Sequence, residues 1–137
     1  MIFLVNTMLN QVLKLKYNYS QKYQRELALS IVFQYIFFNR FFLPFFLSQY
    51  FVEILNEIIL NYYRYNELVW EALYRSNFFV MNYMERALLL LLFAEIKKGD
   101  IEPKLLAYIY IRLAKKYCRK NFYKLIPVFV SNVEKSI

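Results

Sequence analysis

The chain has 137 residues, a formal net charge of +8, 60% apolar and 21% aromatic residues, and only 20% charged ones. That is the length of one domain with ample apolar surface for a core, and it excludes a disordered chain, which lacks the surface to offset its ordering entropy. One glycine and three prolines exclude an all-β domain with many tight turns; a single cysteine and no histidine exclude an intrachain disulfide, a zinc site, histidine-based catalysis and histidine haem ligation.

In chain order, Met1 to Lys16 reads as a short helix closed by Lys14 and Lys16, whose charge suits the negative end of the helix dipole. Ser20 is the expected N-cap of the next helix, which runs from Gln21 to Asn39. Only Lys22, Glu26, Ser30 and Gln34 interrupt its apolar surface, four residues apart, so this helix is expected to be buried on most sides. Pro44 suits the first turn of a third helix, along which Leu47, Tyr50, Phe51, Ile54, Leu55, Ile58 and Tyr62 recur at three and four. Asn66 is read as the cap of a shorter helix to Arg75, with Glu71 and Arg75 paired across one turn, and Ser76 to Asn82 as a connector.

Asn82 and Glu85 have the spacing of a capping box, opening a helix to Lys98 that is apolar all round through Leu88–Phe93. Lys97 and Lys98 close it, and Gly99 supplies the left-handed position after its end. Asp100 is the expected cap of the helix that follows, with Pro103 in its first turn and its end near Cys118. Asn121 or Pro127 begins a final short helix ending near Ser136. No segment alternates with period two, so the expected architecture is all-α, with six or seven helices in two small antiparallel bundles sharing a core. Residues 1–20 are expected to form a helical extension and 21–137 the domain.

Mean hydropathy is +0.27, which raises the question of a membrane span. The longest uncharged stretches, Met1 to Leu13, Leu27 to Asn39 and Phe41 to Val52, all fall short of the ~18–20 residues needed. Joining the last two would bury Arg40, at roughly 2.5–3.5 kcal/mol. No basic region precedes the apolar start, so neither a signal peptide nor a membrane partner is expected. The lone cysteine fits a reducing compartment, and the expected location is the cytoplasm.

The charge is uneven. Residues 101–137 hold eight basic and two acidic residues, and between Lys104 and Lys124 there are seven basic residues and no acidic one. On a helix Lys104, Tyr108, Arg112, Lys115 or Lys116, and Arg119 share one face, which Lys120 and Lys124 extend. Cations attract phosphates and aromatics stack on unpaired bases, so this stripe is a candidate nucleic-acid surface; the bland alternative is a solvated face of a basic protein.

The segment from Met84, MERALLLLLFAEIKKGDIEPKLLAYIYIRLAKKY, resembles the second half of the NusB family. Glu85–Arg86–Ala87, Glu95–Ile96, Asp100–Ile101, Lys104 and Leu113–Ala114–Lys115–Lys116–Tyr117 carry the likeness, and Phe129–Val130–Ser131–Asn132–Val133 resembles the family's closing motif. Near the front, Arg25–Glu26, Ala28 and Phe33–Gln34–Tyr35 are similar to its first helix. The resemblance spans residues 82–133 and 21–38. It implies an all-α fold of two helical subdomains and binding of a single-stranded, boxA-type RNA or rRNA leader, in transcription antitermination. The implied partner is a small-subunit ribosomal protein that doubles as a Nus factor. Lys22 and Arg25 match the start of the family's RNA-binding helix, where an Arg-rich run is here reduced to these two cations. Tyr108–Ile109 replace the family's Asn-Glu, and Val128 and Asn132 replace its Lys and Gly; these departures bear on the boxA-specific site more than on the fold.

The candidate RNA-binding residues are therefore Lys22, Arg25, Lys104, Tyr108, Arg112, Lys115, Lys116, Arg119, Lys120 and Lys124. No catalytic residue, cofactor or metal site is expected. Glu53 with Glu57 and Glu67 with Glu71 are read as solvated pairs, Trp70 as core, and Cys118 as a thiol whose Lys and Arg neighbours would lower its pKa. The alternative function is a protein-interaction module of the same fold, a homodimer or a binder of a Nus factor, that has lost RNA affinity. A further rival is the NusB-like domain found in front of rRNA cytosine methyltransferases.

Overall fold

The helix that was expected to be apolar all round, Tyr83–Lys98, is the axis of the molecule. In the computed structural model, which describes residues 20–75 and 81–136, six α-helices and one short 3-10 helix are present and no strand occurs among the described residues. The helices are α1 (Ser20–Phe38), α2 (Gln49–Leu60), α3 (Tyr62–Arg75), α4 (Tyr83–Lys98), α5 (Pro103–Tyr117) and α6 (Ile126–Ser136), with a 3-10 turn at Phe122–Leu125. The expected helix over Met1–Lys16 and residues 76–80 of the connector expected from Ser76 to Asn82 lie outside the described residues, as do the side chains of Ser20, the expected cap, and Arg75. No described helix is long and apolar enough to cross a membrane.

From Ala87 to Ile96 every side chain of α4 is buried, because α1, α2, α3, α5 and α6 all pack against it. Its start is the expected capping box: Asn82 Oδ1 accepts from the Glu85 N–H (2.9 Å) and Glu85 Oε1 accepts from the Asn82 N–H (3.1 Å). It stops at Gly99, whose φ of 78° lies in the left-handed region that glycine adopts without side-chain strain. The apolar core is one contiguous cluster to which every helix contributes.

The other boundaries correct the sequence reading in instructive ways. Pro44 does not open a helix. It lies in a turn closed by the Leu47 N–H on the Pro44 carbonyl (3.0 Å), and Ser48 caps α2 instead, its hydroxyl accepting from the Phe51 N–H. Gln24 of α1, itself buried, holds this entry: its amide donates to the Phe46 carbonyl (3.0 Å) and accepts from the Ser48 N–H (2.9 Å). The helix expected to continue through Tyr62 breaks at Asn61, and α3 starts at Tyr62 rather than at Asn66. Asn66 points back at the Tyr62 carbonyl and accepts from Arg86 of α4. Asp100 caps nothing; α5 starts after Glu102 with Pro103 in its first turn.

Two burial expectations are also overturned. Trp70 is 48% exposed, on the outer face of α3. Helix α1 is buried only along its first two-thirds: Leu27, Ala28, Leu29, Ile31 and Val32 face the core, whereas Phe37 and Phe38 stand in solvent beside the exposed Phe41, Phe42 and Phe45 of the following loop.

Candidate nucleic-acid interface

Two consecutive residues of α1, Arg25 and Glu26, are turned by about 100° from one another and so serve different surroundings. Arg25 points inward and is 4% exposed. Its Nε and Nη2 donate to Glu95 Oε2 and Oε1 of α4, both at 2.8 Å. Glu95, wholly buried, also accepts from the Tyr50 hydroxyl of α2 (2.8 Å) and from the Tyr110 hydroxyl of α5. The guanidinium further lies 5.3 Å from the Phe51 ring centre. One carboxylate thus ties four helices together. Burial pulls the Arg25 pKa down, but the hydrogen bond and charge of Glu95 outweigh it and leave the group held above its ordinary value. Burial and the Glu95 charge push both tyrosines up. The expectation of a solvent-facing Arg25 is corrected: its charge is neutralised inside the protein.

Outward of that junction lies a cleft between α1 and α5 with a volume of about 350 Å³. Lys22, Arg25 and Glu26 line it from α1, and Tyr108, Ile109, Arg112, Leu113 and Lys116 from α5. Of the two stripes spaced by four, Lys22 and Glu26 of α1 and Tyr108, Arg112 and Lys116 of α5 line this opening. Lys22 and Arg112 are exposed and enter no ion pair among the described residues. Tyr108 is 60% exposed, with the Arg112 guanidinium carbon 6.0 Å from its ring centre. Lys116 Nζ reaches across the cleft to Glu26 Oε1 at 2.8 Å. That hydrogen bond, seconded by one to Tyr117, raises the Lys116 pKa.

The remaining candidates do not line the cleft. Lys104, Lys120 and Lys124 are exposed, without an ion pair among the described residues. Lys104 stands about 18 Å from Lys116 along α5, at 1.5 Å per residue. Lys115 is exposed but does not line the cleft; its ammonium sits 4.6 Å from the Tyr123 ring centre. Arg119 is committed to α4: its side chain donates to both Glu85 oxygens (2.6–3.1 Å) and its N–H to Glu85 Oε2 (3.1 Å). Burial raises the Glu85 pKa and those bonds lower it by more, so the carboxyl sits below its ordinary value. The structure therefore brings Lys22, Tyr108, Arg112 and Lys116 to one opening, and places Arg25 and Arg119 in ion pairs with buried carboxylates. Glu26 is the cleft residue that sequence reasoning missed as part of a site. It carried a signal, being four residues from Lys22 on the polar stripe, but its partner is ninety positions away.

Cys118 behaves opposite to expectation. Burial, and then the Glu85 charge, push its thiol up to about 12, outweighing the pull of Arg119. Glu53 and Glu57 face Lys98 (2.7 Å) and Lys97 (3.7 Å) on an exposed surface. Among the described residues no group of three or more Cys, Asp or Glu could hold a metal ion. Compared with protein-family models, with curated proteins and with solved structures, the chain matches none.

Proposed function

We propose that this is a divergent NusB-like, non-enzymatic protein that binds single-stranded RNA through the α1–α5 cleft and the cations flanking it. It would act in transcription antitermination beside a small ribosomal protein. The observation that carries this reading is the convergence of Lys22 with Tyr108, Arg112 and Lys116, more than eighty residues apart in sequence, on one open cleft. Cations with an exposed ring among them are the chemistry that backbone phosphates and unstacked bases require. The NusB resemblance at Arg25–Glu26, Glu95–Ile96 and Leu113–Tyr117 supports the same reading. Arg25 and Glu95, both among the residues that carry that likeness, form the junction beneath the cleft.

The test is RNA affinity across a salt series. Three to six contacting cations give a slope of log affinity against log salt between about −2 and −4, at about −0.7 per phosphate on a single strand. Arg112→Glu with Lys116→Glu abolishes that binding. If the wild-type chain has no RNA affinity at about 50 mM salt, the reading is refuted.

A second reading, an interaction module without RNA affinity, draws on the exposed Phe37, Phe38, Phe41, Phe42 and Phe45. Single exposed apolar residues need no explanation, whereas five exposed phenylalanines within nine positions favour an interaction surface. Phe37 lies about 22 Å from Lys22 along α1, at 1.5 Å per residue, so such a surface and the cleft are separate. Under this reading the chain self-associates in sedimentation, Phe38→Ser with Phe45→Ser returns it to monomer, and RNA has no effect.

A further inference from the structure

We infer that the α1–α5 cleft seats one unpaired nucleotide, its base against Tyr108 and its phosphate taking Lys116 away from Glu26. The inference deepens the RNA-binding reading and rests on it. At about 350 Å³ the cleft lies at the small end of ligand pockets, large enough for one flat unit and too small for a helix or a duplex edge. Its lining divides as a nucleotide does. Tyr108 and Ile109 offer a ring and an aliphatic wall, and Lys22, Arg112 and Lys116 offer positive charge.

Among the described residues Glu26 is the one carboxylate lining that space, and Arg25 behind it is already neutralised by Glu95. The carboxylate sits deeper than its partner: the Glu26 side chain is 18% exposed and that of Lys116 53%. Glu26 is thus fixed on the wall, while Lys116 reaches it from a flexible stem that can swing to solvent. An exposed ion pair of this type is a weak tie, so an incoming phosphate displaces Glu26 at small cost. The lysine is then spent on RNA only when a strand enters the cleft. Glu26 thereby serves as an internal competitor that sets the threshold for binding and disfavours polyanions unable to reach past the rim.

The experiment measures anisotropy of a labelled single-stranded RNA, and of the same sequence as a duplex, on the full chain across a salt series. Glu26→Gln tightens single-strand binding about 1.5- to 5-fold and leaves the salt slope at the wild-type value, because Lys116 meets a phosphate in both proteins and only the cost of leaving Glu26 is removed. Glu134→Gln, which makes the same change in net charge on the exposed face of α6, does not tighten binding. In a Lys116→Met background the gain from Glu26→Gln disappears, because no lysine is left to release. Tyr108→Ala weakens single-strand binding by at least about fivefold, and Tyr108→Phe keeps it. Equal effects of Glu26→Gln and Glu134→Gln, a gain that persists without Lys116, or a duplex bound as tightly as the single strand each overturn the inference while leaving RNA binding standing. Absence of any RNA affinity in the wild type removes the RNA-binding reading itself.

Discussion

Replacing Glu95 by alanine tests the buried junction on which the relative placement of α1, α2, α4 and α5 depends. The change leaves the Arg25 guanidinium, 4% exposed, without a counter-charge, and removes the acceptor for the Tyr110 hydroxyl, which is fully buried. Losing one partner of a buried ion pair costs about 3–5 kcal/mol, and an orphaned buried hydroxyl adds about 1–3 kcal/mol. The sum is comparable with the ~5–15 kcal/mol that holds a domain together, so Glu95→Ala is expected to be largely unfolded. Glu95→Gln keeps the shape and one acceptor oxygen and remains foldable, with a urea midpoint lowered by about 1–2 M for a loss near 2–3 kcal/mol. The decisive comparison is the triple variant Arg25→Met, Glu95→Leu, Tyr110→Phe. It removes every charge and the buried hydroxyl together, and such replacements are near neutral when the volume is kept. Urea unfolding followed by circular dichroism should place it within about 2 kcal/mol of wild type. A triple variant as unstable as Glu95→Ala would refute the view that the cost lies in unpaired polar groups. So would a Glu95→Ala protein within about 1 kcal/mol of wild type.

Three further outcomes follow from local geometry. The Glu85 carboxyl is held below its ordinary value by Arg119 and Asn82, so its contribution is complete above the unfolded carboxylate pKa and is lost as pH falls through the folded one. Glu85→Gln should therefore flatten the acid side of a stability-against-pH curve below about pH 5 and leave the alkaline side unchanged; an unaltered acid side would count against the pairing. Gly99 sits at φ 78° with nothing within 4 Å of where a Cβ would be, so Gly99→Ala costs only the backbone term, about 1–2 kcal/mol in thermal unfolding, and Gly99→Asn less. The Cys118 thiol, raised to about 12 by burial, stays protonated near neutrality and should alkylate far more slowly than a free cysteine; a rate matching that of a model thiol at pH 8 would show the site to be open.

What could be read from the sequence was what neighbouring residues decide. The capping box at Asn82–Glu85 and the stop at Gly99 depend on a few adjacent positions, and the structure reproduces both. The unbroken Leu88–Phe93 run pointed to a helix with no solvent face, and α4 has none across those residues. Local signals also misled, since the helix openings expected at Pro44, Asn66 and Asp100 lie elsewhere, and the burial errors fall where distant packing decides. Phe37 and Phe38 continue the apolar pattern of α1, yet the core ends before reaching them. Lys and Arg neighbours suggested an activated Cys118, but the burial that dominates it comes from the folded environment. Arg25 looked like an exposed cation because its acceptor lies seventy residues away on α4.

That long-range pair also shapes the cleft. Tyr110 and Tyr108 stand two residues apart on α5, so one ring faces Glu95 in the interior and the other the solvent. Arg25 and Glu26 divide α1 in the same way. The hydrogen bonds that fix Arg25 and Tyr110 to a single carboxylate therefore set the rotation of both helices, and with it the directions in which Lys22, Glu26, Tyr108 and Arg112 project. A surface of long, mobile cations gains definite width and register from a satisfied polar junction beneath it, since a group fixed by several donors has little freedom to turn. Loosening the junction without unfolding the chain, as Glu95→Gln is expected to do, should consequently lower affinity for a single strand and make its salt slope shallower, because cations that no longer converge contact fewer phosphates.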